Sequence, residues 1–208
     1  MGYRMFTQGN LGKILKLNKL DMLSFITAGI CHDVGHDGFN NSFHINATTQ
    51  RAIDSNDVSV QETFHAAEYF KTLQEECSNF IHMLSKNQFK LLRKRVIGMI
   101  LATDMAKHAS DLSTLKSVLV ANNIENGVNN DFFAKVDDEN QLFSNQQMIL
   151  EICMHTCDVS IPTRDFHVVK KWTYLLFEEF FTQGDLEKEK GLPVSMLCDR
   201  NTTHVAKS

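Results

Sequence analysis

Wherever apolar positions recur along this chain they recur with a helical period, and no alternating run of useful length suggests a strand. From Asn18, an N-cap with Asp21 three residues on, the run LDMLSFITAGIC is apolar on almost every face and predicts a helix buried all round. Ser59 with Glu62, Ser85 with Gln88 and Ser144 with Gln147 are capping-box patterns, each opening a helical run. After Ser85, the positions Phe89, Leu92, Val96, Met99 and Thr103 mark one helix face. After Thr163, Phe166, Val169, Trp172, Leu176 and Phe180 mark another, with Gly184 expected just past the helix end. Between about Ala121 and Asn140, Asn, Asp and Gly127 break the period and predict a surface loop. The only prolines are Pro162 and Pro193, so nothing before them forbids long helices. The expected fold is an all-α, compact multi-helix domain.

Charge narrows the function classes. Lys and Arg total 21 against 25 Asp and Glu, a formal net charge of −4, which argues against a nucleic-acid partner. The one basic cluster, Lys90, Arg93, Lys94 and Arg95, falls in a helical pattern and predicts a solvated face. No apolar run approaches the roughly 20 residues of a membrane span, and MGYRMFTQGN has no signal-peptide core. The five cysteines, Cys31, Cys77, Cys153, Cys157 and Cys198, are odd in number without a C-x-x-C pair; they read as reduced thiols in a cytoplasmic protein. Cys153 and Cys157, one helical turn apart, read as buried helix packing.

Candidate chemistry concentrates after the first apolar helix, in His32-Asp33-Val34-Gly35-His36-Asp37-Gly38-Phe39-Asn40-Asn41. A carboxylate and two imidazoles at the end of such a helix are costly unless paired or bound to a cation. Adjacent residues point about 100° apart on a helix, so His32 and Asp33 could share one ion only at a distorted helix end, with further ligands from distant segments. Taken alone, a satisfied core histidine beside a surface aspartate explains the pair equally well; His36 and the Asn pair add weight to a functional reading. Asp158 falls near the C-terminal end of its helix, where the macrodipole opposes a negative charge by about 0.3–1 kcal/mol. Either it is exposed and starts the next turn, or a cation sits there.

The stretch His32-Asp33-x-x-His36-x-Gly38-x-x-Asn41-Ser42-Phe43 resembles the signature of class I 3′,5′-cyclic nucleotide phosphodiesterases. The resemblance continues in family order through Ser59-Val60-x-Glu62, Leu101-Ala102-Thr103-Asp104-Met105-x-Lys107-His108, Cys157-Asp158-x-Ser160, Glu178-Glu179-Phe180-Phe181-x-Gln183-Gly184-Asp185 and Cys198-Asp199-Arg200, from about Leu20 to Ser208. It implies that His32, Asp33 and Asp158 are protein ligands of a zinc ion, and that Asp33 also bridges to a magnesium (or manganese) ion held mostly through water. A hydroxide bridging the two metals would then attack the cyclic phosphate of cAMP or cGMP in line, giving 5′-nucleoside monophosphates in signal transduction. His36, Glu62, Thr103 and Asp104 would orient the metal waters, and Asn41, Met105 and Ile161 would lie on the substrate side. Plain structural readings stand beside these: Glu62 as the third residue of a capping box, Asp104 as an N-cap, His36 as a turn residue. His108 matches a family histidine. His44, His65, His82, His155, His167 and His204 read as surface or packing residues.

Departures from the pattern limit what it implies. Gly35 and Asp37 stand where the family commonly has an acidic residue and proline, which predicts a modest adjustment of the loop. Ile161 cannot hydrogen-bond a base, so no preference for cAMP follows from it. The family's upstream His-Asn-x-x-His and downstream purine-binding glutamine are not among these residues, so residues 1–208 are expected to be a partial catalytic domain, weak or inactive alone. Other readings are another His-Asp nucleotide phosphohydrolase, or a catalytically incompetent regulatory or binding module. The parent could be membrane-tethered, and its oligomeric state is open.

Overall fold

The computed structural model describes residues 1–121, 136 and 138–204, and every regular element among them is helical, as the periodicity predicts. In chain order the helices are α1 (Gly2–Thr7), α2 (Leu11–Ile14), α3 (Lys19–Cys31), α4 (Asn41–Asn46), α5 (Gln50–Ser55), α6 (Val60–Thr72), α7 (Lys86–Leu101), α8 (His108–Ala121), α9 (Glu139–Asp158) and α10 (Phe166–Glu189). Single 3₁₀ turns lie at Glu76–Ser78, Met105–Lys107 and Ile161–Thr163. The chain divides into two compact units, Met1–His32 with Tyr69–Asp158 and Asp33–Glu68 with Val159–Ser208.

In the first unit α3 packs on α7, and α7 on α9. The expected capping box opens α3: Asn18 accepts from the Leu20 and Asp21 N–H groups, and Asp21 accepts from the Asn18 N–H at 3.0 Å. Only one face of α3 is buried, through Asp21, Ser24, Phe25 and Ala28, while Ile26 and Ile30 are 46% and 76% exposed. The helix is therefore not buried all round; the stripe that meets α7 decides which apolar residues go inside. In α7, Leu92, Val96, Met99 and Ile100 are fully buried, each worth about 1.5–3 kcal/mol of transfer free energy. Phe89 stays partly exposed.

Arg95 departs from the expected solvated basic face. It is 2% exposed. Its Nε donates to Asp21 Oδ1 at 3.1 Å, its Nη1 to the Phe143 carbonyl and Gln147 Oε1, and its Nη2 to Gln146 Oε1. The reason is positional: Arg95 lies three residues after Leu92 and four before Met99, on the buried stripe itself. Composition pointed outward and periodicity inward, and periodicity decided the outcome. The Ser144–Gln147 capping box is also absent. α9 begins five residues earlier, where Asp138 accepts from the Asn140 N–H, and Ser144 Oγ donates back to the Asn140 carbonyl inside the helix. Most of the loop expected over 121–140 lies outside the described residues; its last two, Glu139 and Asn140, are helical.

In the second unit the long helix α10 buries a different face from the one expected. Phe166, Trp172 and Leu176 are 79%, 55% and 47% exposed, whereas Phe177, Phe181, Gln183, Gly184 and Glu187 are inside. Gly184 does not end the helix. A Cβ there would collide with the Cys198 carbonyl, so the glycine lets α10 lie directly against the following tail. Glu187 is fully buried and accepts from Gln183 Nε2 (2.8 Å), the Ser195 N–H (2.7 Å) and Ser195 Oγ (2.6 Å). Gln183 Oε1 in turn accepts from the Asn40 N–H at 2.9 Å, tying α10 to the loop before α4.

Removing one partner of a buried ion pair strands the other charge. Arg95→Ala is expected to lower the unfolding free energy by about 3–5 kcal/mol in urea melts, and Arg95→Met combined with Asp21→Asn to recover much of it.

Candidate metal centre

His32 follows the last residue of α3 and keeps helical dihedrals, φ −62° and ψ −26°. Its Nδ1 lies 3.0 Å from the Gly29 carbonyl, which only accepts, so Nδ1 carries the proton. The lone pair of Nε2 then faces Asp158 Oδ1 at 3.1 Å, one acceptor against another. A second proton or a cation between them resolves that contact. Asp158 is the last residue of α9, as the sequence predicts, and the two side chains are 21% and 33% exposed, open to an ion from solvent. Among the described residues the group of potential metal ligands is His32, Asp33 and Asp158, with Asp33 one peptide bond beyond His32. An imidazole nitrogen with carboxylate oxygens is a zinc donor set, and carboxylate supplemented by water suits magnesium. The residues fit both.

Asp33 opens a turn in the second unit. The His36 N–H donates to the Asp33 carbonyl (3.1 Å) and the Gly38 N–H to His36 Nδ1 (3.0 Å), which leaves His36 presenting its Nε2–H. Gly35 and Gly38 take φ of 72° and 85°, conformations that side chains disfavour. His65 stacks on His36 with ring centroids 5.6 Å apart. It is 1% exposed, donates from Nδ1 to the Val34 carbonyl at 2.8 Å, and turns Nε2 toward Asp33 Oδ1 at 3.9 Å. Burial holds its pKa below the ordinary imidazole range, against the Val34 bond and the Asp33 charge. From the sequence His65 reads as a surface or packing residue. A usable signal existed, since His65 lies three residues after Glu62 and so shares its side of α6.

Glu62 Oε2 accepts from Asn41 Nδ2 at 3.0 Å, and Asn41 Oδ1 accepts from the Gln61 N–H at 2.8 Å. Asn41, expected on the substrate side, thus joins α4 to the start of α6. Ser59, just before α6, has φ of 45°, whereas an N-cap residue is ordinarily extended. In the first unit, Thr103 donates to the Ile100 carbonyl, and Asp104 caps the following 3₁₀ turn by accepting from the Ala106 N–H at 3.0 Å. Both are buried, while Met105 is exposed. Ile161, in the second unit, is 38% exposed. His155, expected at the surface or in packing, is buried; it donates from Nδ1 to the Ala102 carbonyl and accepts from His108 Nδ1 at 2.8 Å. The pair braces the backbone just before Thr103.

All five cysteines are free, and Cys153 is buried, its thiol pushed up to about 12 by desolvation. Among the described residues no helix is long and apolar enough to cross a membrane.

The family model described as 3′5′-cyclic nucleotide phosphodiesterase matches residues 1–208. A Drosophila melanogaster dual specificity calcium/calmodulin-dependent 3′,5′-cyclic nucleotide phosphodiesterase 1 is 38% identical over 199 residues, 96% of this chain and 22% of that protein. A Caenorhabditis elegans probable 3′,5′-cyclic-AMP phosphodiesterase, pde-4, is 40% identical over 189 residues, 91% of this chain and 27% of that protein. The chain therefore spans about a quarter of the length of these relatives. Among solved structures, LmjPDEB1 in complex with IBMX superimposes with a TM-score of 0.82 at 27% identity, covering 99% of this chain and 58% of that one. The phosphodiesterase domain of Salpingoeca rosetta rhodopsin phosphodiesterase gives 0.77 at 32% identity, covering 88% and 52%.

His44 is 3% exposed, between Thr49 Oγ1 and Asp37 Oδ1. Burial lowers its pKa although Asp37 opposes the shift. A histidine lowered by folding favours the native state above its unfolded pKa of about 6.5, and that stability is lost as pH falls through the lowered value. The melting temperature is expected to drop between about pH 7.5 and about pH 5.5, and to drop less in His44→Gln, as read by circular dichroism.

Proposed function

The chain belongs to the 3′5′-cyclic nucleotide phosphodiesterase family, and on that premise we propose that residues 1–208 are part of a catalytic domain hydrolysing cAMP, cGMP or both to 5′-nucleoside monophosphates. The observation that carries this reading is the His32–Asp158 contact. With Nδ1 committed to the Gly29 carbonyl, Nε2 and a carboxylate oxygen 3.1 Å apart are arranged to share a cation. Zinc is the ion we assign to His32, Asp33 and Asp158, with magnesium or manganese as a second ion reached through Asp33.

When bound, such a pair supplies Lewis-acid polarisation of the phosphate and acidifies water for in-line attack at phosphorus. The remaining roles fall to the chain. His36 offers an N–H, while His65, kept neutral by burial, offers a lone pair; with the Glu62 carboxylate these groups orient water on the side of Asp33. Thr103 and Asp104 are held in place by the His155–Ala102 bond just before them. Met105 in the first unit and Ile161 in the second are each exposed and apolar, and neither carries a group that would tell an amino from a keto edge of a purine. The free cysteines support a reducing, cytoplasmic setting.

Zinc binding by the 208-residue chain, measured by competition with a chromophoric chelator, tests the ligand assignment. Asp158→Ala is expected to weaken it by more than the roughly 10–100-fold typical of losing a residue behind a ligand. The same substitution, in a polypeptide carrying this sequence that turns over cAMP or cGMP with magnesium, is expected to abolish hydrolysis. Unchanged zinc affinity in Asp158→Ala would overturn the assignment.

A further inference from the structure

Arg51, in the first turn of α5, has no place in the chemistry described above, yet its side chain is only 19% exposed. The guanidinium carbon lies over the Phe64 ring, 3.6 Å from its centroid. Its Nη2 donates to the Gly35 carbonyl at 3.0 Å. Its Nη1 donates to Gln61 Oε1 and pairs with Asp37 Oδ2 at 3.3 Å. Gln61 continues the connection, its Nε2 donating to Asp37 Oδ1 at 2.8 Å and to the Phe39 carbonyl at 2.6 Å. One planar cation therefore fastens two points of the Asp33–Gly38 turn to two side chains of α6.

We infer that Arg51 is a positioning residue for the metal turn: its guanidinium fork clamps the backbone between Asp33 and Gly38 onto α6, so that Asp33 and His36 stand ready before a cation arrives. This rests on the metal reading of the preceding subsection. Several features separate it from ordinary surface pairing. A surface arginine pairs through one flexible tip, whereas here the fork and the ring face are used together, and that geometry is specific to arginine. The carbonyl it holds belongs to Gly35, whose φ of 72° marks the point where the turn reverses. Asp37 is a charged partner: burial pushes its carboxyl up, but the Gln61 bond and the charges of His44 and Arg51 outweigh that and keep it below the ordinary range. With two glycines at positive φ, the turn has little else in its own backbone to stiffen it.

Two measurements on the 208-residue chain test the clamp. In Arg51→Ala the zinc dissociation constant is expected to rise about 10–100-fold, the range typical when support behind a ligand is lost. Amide exchange at His36 and Gly38, whose N–H bonds define the turn, is expected to accelerate roughly in step, while Val96 in the core of α7 keeps its protection. Arg51→Lys, which keeps the charge but not the fork, is expected to behave more like Arg51→Ala than like the unsubstituted chain. Zinc affinity that is normal in Arg51→Ala, or full rescue by Arg51→Lys, overturns the proposal. If the unsubstituted chain binds no zinc, the metal reading falls, and exchange decides the clamp by itself: faster exchange at His36 and Gly38 supports it, and unchanged exchange overturns it.

Discussion

The buried guanidinium of Arg95 fixes the register on which the first unit depends. It reaches α3 through Asp21, and α9 through the Phe143 carbonyl, Gln146 and Gln147. From Asp21 the chain runs eleven residues to His32, and from Gln147 it runs eleven to Asp158. At 1.5 Å per residue both paths are about 16 Å long, so helices pinned together at one end bring their last side chains together at the other. Slipping α9 by one residue would move Asp158 by about 1.5 Å and turn it by about 100°, enough to dissolve the contact with His32. A charged residue in the core is a poor source of stability. Its use here is directional: greasy packing of Leu92, Val96 and Met99 tolerates small slides, and a fork with four acceptors does not.

The second unit solves a similar problem with less regular structure. Its stretch from Asp33 to Asn41 is mostly turn, and it is held by side chains from three helices: Arg51 of α5, Gln61 and Glu62 of α6, and Gln183 of α10. Each bond ends on a backbone group or on a side chain of the stretch itself. Gln183 is fixed from behind by Glu187, a carboxylate whose burial is tolerable because three donors converge on it. The loop thus gets its rigidity from a polar network instead of from hydrophobic burial, which leaves the His36 imidazole and the Asp33 carboxylate exposed.

How much of this could be read in the sequence depended on whether the signal was local. The capping boxes at Asn18 and Ser85 were legible because cap and partner lie three residues apart. The Ser144 pattern failed because the Asp138 start outcompetes it upstream, a choice that composition does not reveal. For α10, the helix carries more apolar residues than it buries; the close approach of the Cys198 backbone puts Gly184 inside, and Phe181 and Phe177, which pack ring to ring, lie one and two turns before it. Of the candidate site, the ordered motifs pointed to His32, Asp33 and Asp158, but the bond that orients His32 comes from the Gly29 carbonyl and the one that braces the backbone beside Asp33 from His65, whose residue types carry no signature. The partners of a buried histidine are set by tertiary contact: the spacing from Glu62 places His65 on the right side of α6, but nothing local separates His155 from a packing residue.

What most limits the chemistry open to this site is where the imidazole protons sit. His32 and His65 repeat one device: each commits Nδ1–H to a backbone carbonyl, of Gly29 and Val34 respectively, and each turns the Nε2 lone pair toward an aspartate, Asp158 and Asp33. A histidine meant to pair with a carboxylate by hydrogen bonding would place its proton on the facing nitrogen, as His44 does when its Nε2 meets Asp37 and its Nδ1 meets the Thr49 hydroxyl. Fixing the opposite tautomer twice spends favourable carbonyl bonds to set one lone pair 3.1 Å from a carboxylate oxygen and the other 3.9 Å from one. That arrangement is unfavourable in an empty site and favourable in one holding electrophiles, since a cation or a water bound to it satisfies both partners at once. The backbone carbonyls, by dictating the tautomers, therefore do as much as the proposed ligand side chains to define what the site would accept.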